Sequence, residues 1–75
     1  MIMWVAAEKY KNKDIDICCY QFNKTYDVQV KSGKHSLSEQ FEQTRETEGL
    51  AMHVSDMENS IKIANILIDR IKRMI

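Results

Sequence analysis

The sequence predicts an α+β fold: an antiparallel sheet of three to four strands with a C-terminal helix on one face, in the order βββ(α or loop)βα. Three observations predict it. Residues 14–31 alternate apolar and polar side chains on either side of Asn23-Lys24, as a hairpin does. Residues 55–75 repeat apolar residues at helical spacing, with acids first and bases last. The 75 residues make one small domain, 1–75, too short for a second.

Residues 2–10 place Trp4, Val5 and Tyr10 among small residues with no helix cap, which reads as a strand. Lys11, Asn12 and Lys13 read as a polar turn. The register of this strand is left open by the sequence; a three-residue turn there would set Trp4 and Tyr10 on the sheet face opposite the core. Residues 14–22 form the second strand and 25–31 the third, joined by a two-residue loop at Asn23-Lys24, where Asn tolerates positive φ. That loop pairs Phe22 with Thr25, Cys19 with Val28 and Ile17 with Val30. One face then collects Ile15, Ile17, Cys19, Tyr26, Val28 and Val30 as the core, while the other receives Cys18, Tyr20 and Phe22 beside Asp16, Asp27 and Gln29. A slip of one residue would exchange the two sets.

Residues 36–48 read as a short helix or as an acidic loop. Ser36 and Glu39 have capping-box spacing, Leu37 and Phe41 stand at i and i+4, and Gly49 follows. Few large apolar residues are present to hold such a helix. Leu50, Met52 and Val54 alternate with Ala51 and His53 as a short fourth strand. The final helix opens on a second capping box, Ser55 with Glu58. Asp56 and Glu58 stand in its first turn and Lys72 and Arg73 in its last, and Glu58–Lys62 and Asp69–Arg73 are i,i+4 pairs. Met57, Ile61, Ala64, Ile68, Ile71 and Ile75 are the expected buried stripe. Ile63, Ile66, Leu67 and Met74 widen it beyond what one sheet face needs.

The order of four strands then a helix resembles, in outline, the single-stranded-DNA-binding coactivator fold. None of that family's motif residues is present, so the likeness implies an arrangement and carries no site.

Composition narrows the function classes. Hydrophobic residues at 44% and charged residues at 29% suit a folded globular domain. Cys18 and Cys19 are adjacent, so they close no useful disulfide loop and do not match the spacing of zinc ligands, which leaves free thiols. His35 and His53 sit in no nucleophile elbow, and two glycines supply no phosphate-binding loop. No enzymatic activity, metal or cofactor is therefore expected. Glu8 and Lys9 interrupt the apolar start before a signal-peptide core forms, and no apolar run approaches the roughly 20 residues of a membrane span, so a soluble cytoplasmic protein is expected.

The formal net charge is zero, yet 36–58 concentrates Glu39, Glu42, Glu46, Glu48, Asp56 and Glu58 around Arg45 alone. Local charge decides what a surface attracts. Glu39, Glu42, Glu46 and Glu48, with Tyr20 and Phe22 as aromatic anchors, are the candidate partner-binding residues. The expected function is a small non-enzymatic binding protein, an inhibitor or regulator of the phage or mobile-element type, that occludes a basic site on a protein or nucleoprotein. A single-stranded nucleic-acid-binding module using the aromatic face is the alternative, weakened because Asp14, Asp16 and Asp27 would repel phosphate. Self-association through the helix flank or the second sheet face is a further expectation, since a small core without a staple leaves apolar surface over.

Overall fold

A computed structural model describes residues 1–45 and 51–75. Four strands, β1 (Ile2–Tyr10), β2 (Lys13–Phe22), β3 (Thr25–Ser32) and β4 (His35–Glu42), form one antiparallel sheet in the order β1-β2-β3-β4. The helix α1 (Val54–Lys72) crosses one face, lying chiefly over β3 and less over β4 and β2. The α+β class and the sheet-plus-helix layering are as the sequence predicts.

The central hairpin has the predicted register: Phe22 opposite Thr25, Cys19 opposite Val28, Ile17 opposite Val30. Asn23 takes the positive φ (57°) that the two-residue loop demands. All six predicted sheet-core residues are buried, and Tyr26 stacks on Phe41 of β4 with ring centroids 5.3 Å apart.

The first turn is shorter than the sequence suggests. Tyr10 pairs directly with Lys13, leaving Lys11 (φ 51°) and Asn12 (φ 61°) as a two-residue loop with both central φ angles positive. This one-residue difference sets Trp4 opposite Cys19 and turns Trp4 and Tyr10 onto the helix side, which decides the register that the sequence leaves open. A bulge near Met3, where Ile2 pairs with Tyr20 but Trp4 with Cys19, lets Met3 and Trp4 both pack against the core. The Trp4 indole N–H donates to Ser60 Oγ at 2.9 Å, and Ser60 donates to the Met57 carbonyl at 2.7 Å. Lys72 lies over the Tyr10 ring (5.2 Å) and pairs with Glu8 at 3.2 Å, tying the helix C-terminus to the far end of β1.

Residues 35–42 are neither helix nor loop but the edge strand β4, closed onto β3 by a turn in which Gly33 adopts φ 58°. The fourth strand therefore precedes the position expected for it. Ala51 to His53 have no regular structure, Val54 already begins α1, and Leu50 and Gly49 lie outside the described residues.

The helix starts two residues early. His53, not Ser55, is its N-cap: the His53 Nδ1 accepts the Ser55 N–H at 3.2 Å and sits 2.8 Å from the Ser55 hydroxyl. Its buried side is Asp56, Ser60, Ala64, Leu67, Ile68 and Ile71. Ile61, expected in the stripe, is 46% exposed, and Leu67, expected at its margin, is buried. The rotation follows from Asp56 and Ser60, two polar residues on the buried side whose polar atoms are satisfied inside. Asp56 accepts from the Thr44 N–H (3.2 Å) and hydroxyl (2.8 Å), while Ser60 links Trp4 to the helix backbone. The expected pairs Glu58–Lys62 and Asp69–Arg73 are not closed. Among the described residues, no helix is long and apolar enough to cross a membrane.

Candidate binding face

Only one face of the sheet is covered by the helix, and the strand registers specify what the other presents. Side chains alternate along each strand, so the residues opposite the core set are Val5 and Ala7 of β1, Asp16, Cys18, Tyr20 and Phe22 of β2, and Asp27, Gln29 and Lys31 of β3. Lys9, Asp14 and Thr25 continue these rows, and Ser36, Ser38, Gln40 and Glu42 of β4 share the face. Two halves result. Along β1 and β2 run Ile2, Val5, Tyr20 and Phe22, of which Phe22 is 73% and Val5 68% exposed. Along β3 and β4 the face is polar.

Two shallow concavities of about 600 and 580 Å³ adjoin on this face and share Tyr20 and Gln29. Phe22, Asp27 and Gln40 line the first; Val5, Asp16, Cys18 and Lys31 line the second. Asp27 stands directly across from Tyr20. Its Oδ2 accepts from Gln29 Nε2 at 3.0 Å, whereas its shielded Oδ1 has no donor among the described residues. The Tyr20 hydroxyl is held above its ordinary pKa by Cys18 first, with desolvation and the Asp27 carboxylate adding to it. Tyr20 is thus a neutral hydrogen-bonding group on a face whose carboxylates are Asp14, Asp16, Asp27 and Glu42 and whose ammonium groups are Lys9 and Lys31. Lys9 is paired with Asp14 at 3.7 Å.

Tyr20 and Phe22 share this face as the sequence predicts. The four glutamates do not form one surface with them. Glu42 stands opposite Thr25 on the open face, but Glu39 stands opposite Val28, exposed on the helix side of the edge strand. Asp27, directly across from Tyr20, is the carboxylate beside the aromatics. Glu46 and Glu48 lie outside the described residues. Sequence reasoning missed Val5 as part of the site, and only the two-residue turn at Lys11-Asn12 would have revealed its face.

Reactive side chains are distributed apart. The open face holds Cys18, half-buried, and the core holds Cys19, so the two thiols point away from each other and do not converge on one ion. His53 and Ser55 are engaged with each other at the helix start, and the Asp56 carboxylate with Thr44. Among the described residues, no cluster of three or more His, Cys, Asp or Glu could hold a metal ion.

Burial pushes the Cys19 thiol up to about 11, with Cys18 adding to the rise and the Ser60 hydroxyl opposing it. Iodoacetamide at about pH 8 is accordingly expected to modify Cys18 first and Cys19 only on unfolding, as peptide mapping would show. The same shift makes stability pH-dependent. The unfolded thiol releases its proton near 9.0 while the folded one keeps it to about 11. Stability contributed by the protonated thiol is full below pH 9.0 and declines as pH rises through that window.

A small four-stranded meander with one covered and one open face is the class of protein defined here. No protein-family model matches the chain, and neither a curated protein nor a solved structure matches it.

Proposed function

We propose that this is a non-enzymatic binding protein that docks a basic surface of a protein or nucleoprotein on its open sheet face, acting as an inhibitor or regulator by occluding that surface. The observation that carries the reading is the exposed aromatic and aliphatic strip of Phe22, Tyr20 and Val5 beside the Asp16, Asp27 and Glu42 carboxylates. Aromatic side chains supply the anchoring area of an interface. Carboxylates around them favour cationic partners and speed their encounter. Glu46 and Glu48 of the acidic run belong to the same proposal through their charge alone.

Single-stranded nucleic-acid binding is the second reading, favoured by the exposure of Phe22 beside Tyr20, since every base has a face that stacks on such rings. The aspartates on that face oppose it, because they repel phosphates.

Affinity capture from nuclease-treated lysate should recover a partner on the wild type. That partner should be lost with the double reversal Asp16→Lys, Glu42→Lys and with Phe22→Ala. Fluorescence anisotropy with labelled single strands at low salt should show no binding. Capture that survives both variants overturns the docking reading. Oligonucleotide binding that strengthens on charge reversal and loses about 1–3 kcal/mol in Phe22→Ala establishes the second.

A further inference from the structure

We propose that β1 is a self-pairing edge: two copies of the chain join antiparallel through Ile2–Tyr10, extending the sheet across both and closing the apolar groove between β1 and α1. The inference is independent of what docks on the open face.

The two edges of the sheet are unlike. Edge strands present unpaired backbone N–H and C=O groups, and proteins guard them with charge, proline, bulges or covering chain. The β4 edge carries Ser36, Ser38, Glu39, Gln40 and Glu42, which are exposed. The β1 edge has no charge from Ile2 to Ala7. Its bulge falls at Met3, leaving a regular ladder from Trp4 to Tyr10. Ala6 and Ala7, both exposed, give the middle of the strand the small side chains that let another backbone approach.

A second feature lies alongside. Because α1 lies chiefly over β3, the helix side of β1 is left as a groove of about 290 Å³, lined by Trp4, Ala6, Ile61, Ala64 and Ile68 and almost wholly apolar. Ile61 stands at its rim, 46% exposed.

These features choose the occupant. A foreign strand added to β1 would satisfy the edge and leave the groove and Ile61 in water. A second copy satisfies all three, because a two-fold axis perpendicular to the sheet brings both helices to the same side. The two grooves then face each other across the paired strands, with an Ile61 from each copy meeting above them. Charge permits it. Glu8 is paired with Lys72 at 3.2 Å and Lys9 with Asp14 at 3.7 Å within one chain. Antiparallel pairing centred on Ala7, the middle of the regular Trp4–Tyr10 ladder, keeps opposed residues on one face and sets each Lys9 across from the uncharged Val5 of the other strand.

The test is sedimentation of the full chain across a dilution series, with amide hydrogen exchange read at both ends of it. The expected result is a dimer at high concentration, with residues 2–10 protected there and exchanging faster on dilution. Val5→Lys and Ile61→Lys, both at exposed positions, should each raise the dissociation constant at least about tenfold without changing the far-ultraviolet circular dichroism of the monomer. A monomer throughout overturns the proposal. So does a dimer whose β1 amides gain no protection, or one that both variants leave intact.

Discussion

Leu67→Ala is expected to destabilise the protein by about 2–5 kcal/mol, as truncation of a buried leucine does when its cavity cannot collapse. Leu67 is 2% exposed and packs in the single core between α1 and the sheet. Ile66→Ala, one residue away on the same helix at 49% exposure, is expected to stay within about 0.5 kcal/mol. Urea denaturation of the two variants reads the rotation of the helix directly. Comparable losses for both would mean that α1 does not present Leu67 to the sheet. A domain this small holds little margin, so Leu67→Ala should also lower Tm by roughly 4–8 °C for each kcal/mol lost.

Asp56→Ala is expected to cost about 1.5–3 kcal/mol, the range for hydrogen bonds to a charged group in a buried setting. The carboxylate is fully buried, accepts from both the N–H and the hydroxyl of Thr44, and stands in the first turn of α1, where negative charge is favoured. It therefore fastens the end of the sheet to the start of the helix. Asp56→Asn keeps one acceptor oxygen and loses the charge, and should fall between wild type and Asp56→Ala. Thr44→Val, which leaves the backbone N–H bond in place, should lose less than Asp56→Ala. A neutral Asp56→Ala in thermal denaturation would show that this carboxylate does not hold the two layers together.

Both variants probe the point where sequence reasoning went one residue astray. Counting only apolar residues runs the helix stripe through Met57 and Ile61 to Ala64, Ile68, Ile71 and Ile75, of which Ala64, Ile68 and Ile71 are buried. The true buried side runs through Asp56 and Ser60, which look like surface residues until Thr44 and Trp4 are seen to satisfy them. A polar residue enters a core when a specific partner from another element waits there, and no local pattern announces that partner.

The candidate face was legible in the same partial way. Tyr20 and Phe22 were placed because their strand lies in a hairpin whose register follows from a two-residue loop. Val5 was not, because the β1 face depends on whether the preceding turn uses two residues or three, and Lys11, which takes positive φ here, is not a residue that advertises it. The sequence groups Glu39 and Glu42 in one acidic run by their nearness along the chain. Three apart on a strand they face opposite ways.

The sequence by itself determined the β2–β3 hairpin with its six core residues, and the existence of the C-terminal helix. Both rest on contacts between near neighbours, where alternation, turn length and helical spacing act directly. Only the tertiary structure decided β4, the face of β1 and the rotation of α1. Leu37 and Phe41, four residues apart, share a face in a helix and in a strand alike, so their spacing suits both. Pairing with β3 and the stacking of Phe41 on Tyr26 select the strand. Those interactions join residues brought together only by folding, and that is why the local pattern did not contain them.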